Sequence, residues 1–440
     1  MNNLLIKNFR KALPKNLLKS SFSRALILIS GGTVFAQFLN IVLSPVITRI
    51  FSAEDYGIFT AYNALLGILA VGALKYETAI PIARDEKTAI NVLTMSLAVL
   101  SLVVLILTII LLYFESMIFS ITSSESIHQY KYLVPVGVLL SGLYSIFKQW
   151  ALRIKDYKTV TKTTVTQSIF GNLFKLITGL VGLGPLGLIL GGIIGQSSGI
   201  VQLSKPLIKR DRSIIKNISF KKIIWCLKKY KDFPIFNASN QLINNLTGNL
   251  PILFITMFYG SSVVGNFGLA YIIVKLPMNL IGSAIGDVYF AEASSIGRTN
   301  PRKLKNLSNK LTRNLALIGI IPVIILLIFG PQIFSVLFGE SWYQAGVFAR
   351  IVSFMMFFML IITASGKIYV VYERQRVRFF LDLIRVILNI LVFILSSKFN
   401  LDVYSALTLY VITSSVVYLG THIIAQKILN GEIRKKEAVG

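Results

Sequence analysis

Lysines and carboxamides set inside long apolar runs are the residues of this chain best placed to do chemistry. Lys175 and Lys275 fall near the centres of their runs, Lys75, Lys148 and Lys367 toward one end, and Arg350 toward the other. Carboxylates are fewer: Glu77, Asp287 and Asp382. An ionisable group at the centre of a bilayer costs at least ~2.5 kcal/mol, so each is a candidate functional residue. A lysine near a helix end can snorkel to the headgroups, which is the plain reading of Lys148 and Lys367 but hard for Lys175 and Lys275. Asp382 and Arg385 stand at i and i+3 and can neutralise each other, whereas Lys75 and Glu77 are two residues apart, on different helix flanks.

The carboxamides form stripes. Ser30, Thr33, Gln37, Asn40 and Ser44 recur at steps of three or four in one run. Asn237, Asn240, Gln241, Asn244 and Asn245 do so in another, with Thr247 and Asn249 beyond. Such groups cost free energy in hydrocarbon unless they find partners, so each stripe faces other helices or a watery cavity. Packing through small and polar residues explains either stripe alone. Two stripes at matching places favour a cavity between two halves of the chain, as in transporters. A polar cavity with excess positive charge suits phosphate, and amides suit hydroxyl-rich sugars. The ligand so described is both phosphorylated and glycosylated.

The elements that position these groups are membrane spans. Of the 440 residues 54% are hydrophobic, and the mean hydropathy is +0.71. That exceeds what a soluble globular chain carries. The expected architecture is all-α and integral to the membrane, with about twelve spans of roughly 20 apolar residues each. They cover 25–48, 57–81, 88–112, 131–150, 163–183, 185–203, 234–259, 265–290, 313–330, 344–371, 378–397 and 403–426. A net charge of +27 would suggest nucleic acid in a soluble protein. Here most of the 45 basic residues lie in alternate connectors and the termini, which is the positive-inside pattern. Nucleic acid is therefore not an expected partner; both termini are expected in the cytoplasm, with the basic surface against anionic phospholipids.

The chain divides into a basic cytoplasmic N-terminus (1–24), a first six-helix bundle (25–203), a basic linker (204–233), a second bundle (234–426) and a cytoplasmic tail (427–440). The first apolar run is longer than a signal-peptide core, so it reads as an uncleaved span. Within the linker, Ile223, Ile224, Leu227 and Tyr230 share a face opposite Lys221, Lys222, Lys228 and Lys229, the pattern of a helix lying in the headgroups. A merely basic loop is the alternative. The single Cys226 in this linker excludes an intramolecular disulfide. Gly57-Ile58-Phe59 and Gly265-Asn266-Phe267 open corresponding helices of the two bundles, which indicates a twofold internal repeat.

Three stretches carry a family resemblance: PVITRIFSAEDYGIFTAYNALLGILAVGALKYETAIPIARDEKTAINVL from Pro45, VGNFGLAYIIVKLPMNLIGSAIGDVYFAEAS from Val264, and LFGESWYQAG from Leu337. They resemble bacterial polysaccharide flippases of the Wzx type, and the likeness spans essentially the whole chain. The resemblance implies the multidrug/oligosaccharidyl-lipid/polysaccharide exporter fold, with two six-helix bundles related by a pseudo-twofold axis around a central cavity. It implies a substrate, an oligosaccharide repeat unit on undecaprenyl pyrophosphate, moved to the outer leaflet of the bacterial inner membrane for O-antigen, lipopolysaccharide or capsule synthesis. Lys75 and Lys275 fall at the family's charged positions; relatives often carry Arg at the first, and Lys there is a poorer bidentate phosphate ligand. Drug exporters of the superfamily need acidic cavity groups, absent from the first and seventh runs here, and lipid II flippases usually add two C-terminal helices.

On this reading Lys275 and Lys175, with Lys75, meet the pyrophosphate, while Gln37, Asn40, Asn240, Gln241 and Asn244 contact sugars. Glu77 and Asp287 are candidate ion-coupling carboxylates, since there is no nucleotide-binding motif. No cofactor or metal is expected. Polymerases and glycosyltransferases of the same pathway are candidate partners. The rival reading is an enzyme, a polyprenyl-dependent glycosyltransferase or O-antigen polymerase using Glu54-Asp55. Those acids sit in a very short connector, where Ser52-Ala53-Glu54-Asp55 more simply caps the next helix. A scaffold recruiting transferases through the basic face is a third reading.

Overall fold

The computed structural model describes residues 21–113, 128–210, 217–296 and 299–437, which are almost wholly helical. Most of the expected N-terminal segment, the centre of the linker and the last three residues lie outside them. The first lobe comprises α1 (Ser21–Ile50), α2 (Ala53–Leu69), α3 (Glu86–Tyr113), α4 (Leu133–Arg153), α5 (Tyr157–Leu180) and α6 (Gly184–Ser197). The linker holds α7 (Ile200–Arg210) and α8 (Phe220–Lys229). The second lobe comprises α9 (Ser239–Tyr259), α10 (Ser261–Ile296), α11 (Pro301–Phe338), α12 (Tyr343–Ile361), α13 (Thr363–Val371), α14 (Gln375–Lys398) and α15 (Val403–Glu437).

Among the described residues, eight helical stretches are long and apolar enough to cross a membrane. Each coincides with one of the expected spans. The remaining four expected spans correspond to α2, α4, α5 and α9, and two causes are plain. α2 has only 17 residues, and α5 and α9 carry the Lys, Thr, Asn and Gln that lower hydropathy. Large apolar side chains stay exposed around the outside, among them Phe35 and Phe38 on α1, Leu105 on α3 and Ile321 and Ile328 on α11. A belt of that kind belongs against lipid, and the protein is a multi-pass membrane protein.

Within the first lobe α1 packs on α5, α5 on α6, and α3 on α4; within the second α11 packs on α12, α10 on α12, and α14 on α15. The lobes meet where α2 lies against α10 and α9. Glycine permits the first of these contacts. An ideal Cβ on Gly57 would stand 3.1 Å from the Gly265 nitrogen, and one on Gly265 would stand 2.9 Å from the Gly57 nitrogen. The two residues open corresponding helices of the repeat, so the repeat pairs with itself backbone to backbone.

Several local expectations change. The span expected over 57–81 ends as a helix at Leu69, and a turn-rich crossing runs to α3. Leu74 and Lys75 there take left-handed conformations, with φ of 49° and 62°, and a 3₁₀ turn covers Tyr76–Ala79. The guanidinium of Arg153 donates to the carbonyls of Ile80 and Ala83 at 2.9 and 2.8 Å, replacing helical partners that the crossing lacks. Most of the apolar face of α8 is turned to protein: Cys226 and Tyr230 are buried, with Ile223 and Leu227 packed on the core and α8 seated on α3, while Ile224 stays exposed. α15 continues to Glu437 and takes in most of the expected tail.

Ser52 and Asp55 form a reciprocal capping box at the start of α2, Ser52 Oγ accepting from the Asp55 nitrogen at 3.1 Å and Asp55 Oδ2 accepting from the Ser52 nitrogen at 3.0 Å. Of the two acids weighed as catalytic, Asp55 is thus a helix cap, and Glu54 lies in the first turn of the same helix. The anticipated pairing of Asp382 with Arg385 is present at 3.2 Å, and Arg378 completes a triad on Asp382 at 2.9 Å.

Candidate functional site

Between the lobes lies a cavity of about 290 Å³. α2 contributes Phe59, Thr60, Asn63 and Ala64, α9 contributes Asn244, Asn245, Gly248, Asn249 and Ile252, and α10 contributes Tyr271, Ile272 and Lys275. No carboxylate is among these residues. The Lys275 ammonium donates to the Tyr271 hydroxyl at 3.4 Å and lies 4.8 Å from the centre of that ring, so an aromatic face stands in for a counter-ion.

α9 fixes the amide wall. Gln241 Nε2 donates to Asn245 Oδ1 at 2.8 Å, and Asn245 Nδ2 donates to the Gly67 carbonyl of α2 at 2.7 Å. Asn249 Nδ2 donates to the Asn245 carbonyl at 2.8 Å. Asn245 therefore joins the lobes as much as it lines the cavity, with Gln241 bracing it from the preceding turn. Asn244 is exposed into it, and Asn240, one turn earlier on the same face, is exposed as well.

Lys175 comes close without lining the cavity. Its ammonium lies 4.6 Å from the centre of the Phe59 ring, so Phe59 stands between the lysine and the space that it faces. Close crossing of α5 and α6 sets this position: an ideal Cβ on Gly171 would be 3.1 Å from the Gly195 Cα. Asn40 is used inside the first lobe, where its Oδ1 accepts from Ser168 Oγ at 2.7 Å and Asn172 Nδ2 at 2.6 Å. Gln37 lies on α1, half-buried and outside the lining.

Lys75 stands in the crossing after α2, half-buried and outside the lining, and attracts the nearby Glu77. Glu77 is buried; Ser145 Oγ of α4 donates to its Oε1 at 3.4 Å, and its Oε2 has no hydrogen-bond partner among the described residues. Asp287 belongs to α10, but its side chain lies outside the described residues. The structure thus gathers Lys275 and Asn244 at the cavity, Asn240 and Gln241 beside it and Lys175 behind Phe59, and sets Lys75, Gln37 and Asn40 elsewhere. Phe59, Asn63 and Tyr271 escaped sequence reasoning. Asn63 was detectable as an amide in an apolar run, whereas the two aromatics look like ordinary core residues.

Above the cavity, at the end that carries the connectors poor in positive charge, the lobes are tied together. Trp342 Nε1 donates to the Thr48 carbonyl at 2.8 Å, and Arg49 donates to the Val336 carbonyl at 3.2 Å. The Tyr56 ring meets Trp342 edge-on with centres 5.5 Å apart, and Phe59 likewise meets Tyr56 at 5.9 Å.

Residues 46–347 match the model of a family described as polysaccharide biosynthesis protein. The chain belongs to that family. Teichuronic acid biosynthesis protein TuaB of Bacillus subtilis (strain 168) is 24% identical over 156 residues, 36% of this chain and 32% of TuaB. The match thus spans about a third of that relative's length. An inward-closed structure of the lipid II flippase MurJ is similar with a TM-score of 0.69 at 16% identity, covering 92% of this chain and 91% of that one. An inward-facing multidrug resistance transporter of the MATE family, in the MOP superfamily, is similar with a TM-score of 0.67 at 13% identity, covering 92% and 95%. The two-lobed fold of this polysaccharide biosynthesis protein is therefore the MOP transporter fold. The family is one of polysaccharide biosynthesis, and the likeness to these transporters is one of fold.

Proposed function

We propose that this protein flips a lipid-linked saccharide across the bacterial cytoplasmic membrane by alternating access, for synthesis of a surface polysaccharide. The observation that carries the reading is Lys275 in an inter-lobe cavity with amides and aromatics but no lining carboxylate. Such a cavity repels cations and attracts a phosphate or pyrophosphate, while Asn63, Asn244 and Asn249 offer both donors and acceptors to sugar hydroxyls. The polyprenyl tail stays in lipid, so only the polar head needs the cavity. Undecaprenyl pyrophosphate is the carrier that fits this chemistry, and an O-antigen, capsular or teichuronic-type repeat unit is the cargo.

The positive-inside distribution supports cytoplasmic termini and a cavity loaded from the basic side. The ties at Thr48, Arg49 and Trp342 support a state closed toward the outside. Lys175 joins the phosphate site if the Phe59 ring swings aside. Glu77, buried with one carboxylate oxygen unpartnered among the described residues, is a coupling candidate.

The test is deletion of the gene in its native host, with mass spectrometry of the polyprenyl-linked glycans and their accessibility on each face of isolated membranes. Complete repeat units trapped on the cytoplasmic face are expected. Truncated units, or complete units already facing outward, would overturn the proposal.

A further inference from the structure

Helix α8 has a second face that the described residues do not cover. With Cys226, Tyr230, Ile223 and Leu227 turned to the first lobe, Phe220 is left 76% exposed and Trp225 50% exposed. Lys221, Lys222, Lys228 and Lys229 are all exposed around Trp225, and the Lys229 ammonium lies 4.5 Å from the Trp225 ring centre. At 3.6 residues per turn these lysines flank Trp225 on both sides, while Phe220 lies beside them on the same outward surface. Asp85 is the acidic group whose field reaches Lys222, and it leaves the cluster strongly positive.

The helix is also held rigidly. Asn91 of α3 donates to the Asn217 carbonyl at 3.1 Å and accepts from the Ser219 nitrogen at 2.9 Å, fixing the entrance to α8. The Tyr76 hydroxyl reaches the Leu227 carbonyl at 3.5 Å. An exposed tryptophan ringed by lysines, at the basic end of a membrane protein, matches the headgroup layer, where aromatic rings and cations meet phosphates.

We propose that the outward face of α8 docks into anionic phospholipid headgroups, with Trp225 at the glycerol level and Lys221, Lys222, Lys228 and Lys229 on the phosphates. Because α8 is fastened to α3 and to the crossing after α2, this contact anchors the first lobe in the leaflet and leaves the second lobe to move against it. The occupant is the bilayer itself, since the same surface combines apolar and cationic side chains and adjoins the spans.

The experiment uses the full-length protein in nanodiscs containing phosphatidylcholine and phosphatidylglycerol, with bromine near the headgroup end of one lipid or the other. Comparing the wild type with W225F isolates the emission of Trp225, since Trp150 and Trp342 are buried in both. Brominated phosphatidylglycerol is expected to quench Trp225 more than brominated phosphatidylcholine at equal mole fraction. Replacing the four lysines with glutamine should level the two. Equal quenching by both lipids in the wild type would overturn the proposal. So would acrylamide quenching of Trp225 as free in nanodiscs as in detergent, which would leave the face open to a soluble partner. Both overturning results are read on the protein with its lysines intact, so the test stands even where a lysine variant fails to fold.

Discussion

Gly57 of α2 and Gly265 of α10 press backbone against backbone at matching positions of the two halves, each with room for nothing beyond hydrogen. The closest neighbours of the missing Cβ atoms are main-chain atoms of Ser261 and Ala53, which cannot rotate away. A side chain at either position must part the lobes. Overpacking of this kind costs about 1–3 kcal/mol, or roughly 5- to 150-fold in the balance between closed and open forms. With cysteines introduced as A53C and S261C, oxidative crosslinking is expected to be efficient in the parent and to collapse in G57V or G265V. The native Cys226 is fully buried and should contribute little background.

Lys275 should carry most of the electrostatic attraction of the cavity. K275Q keeps length and a donor but removes charge, so it is expected to weaken binding of a pyrophosphate-bearing lipid by roughly 10- to 100-fold, the range for a charge-assisted hydrogen bond. K275R should retain a substantial part. Equilibrium binding in nanodiscs reads this directly, and retention of wild-type affinity by K275Q would refute the assignment.

Phe59 gives a way to separate the two lysines. F59A removes the ring beneath the Lys175 ammonium and opens a path from that lysine to the cavity. If Lys175 is a phosphate ligand, K175Q should cost affinity in both backgrounds, and more so after F59A. No effect of K175Q in either background would leave Lys175 a structural cation of the first lobe.

Trp342 ties the lobes at the end poor in basic connectors, the outer end on the proposed orientation, with a hydrogen bond to Thr48 and an edge contact to Tyr56. W342F keeps an aromatic ring but a smaller one and loses the donor, worth about 1 kcal/mol for the hydrogen bond with a packing loss beside it. Accessibility of a cysteine at Ala53 to a membrane-impermeant reagent should rise several-fold, roughly as that energy dictates.

The Arg378–Asp382–Arg385 triad is a stability element of the second lobe. D382A strands Arg385, whose side chain is 11% exposed and whose guanidinium lies 4.7 Å from the Tyr418 ring centre. Stranding a buried charge costs about 3 kcal/mol or more, and replacing both partners with apolar residues should recover much of it. Thermal unfolding in detergent of D382A, R385M and the double variant checks this.

The sequence made the membrane class, the repeat and Lys275 legible because each is a departure from an apolar background. Asn244 was legible for the same reason, as an amide with regular spacing. Asn40 reads identically from sequence, yet Ser168 and Asn172 on α5 take up its oxygen, and nothing in spacing along α1 announces partners from a distant segment. Phe59 and Tyr271 were hidden in the opposite sense, since an aromatic in an apolar run carries no mark of facing a cavity. The end of α2 at Leu69 was invisible to hydropathy because the crossing that follows stays apolar while its carbonyls turn to Arg153.

Gly57 and Gly265 lie outside the cavity lining, although they share its helices: Gly57 precedes Phe59 and Asn63 on α2, and Gly265 precedes Tyr271 and Lys275 on α10. On the proposed mechanism, fulcrum and reading head are thus built from different residues. Descendants of this chain are free to exchange the amides and aromatics for those that suit a new glycan while the pivot stays as it is. A single mechanical frame can in this way serve many surface polymers.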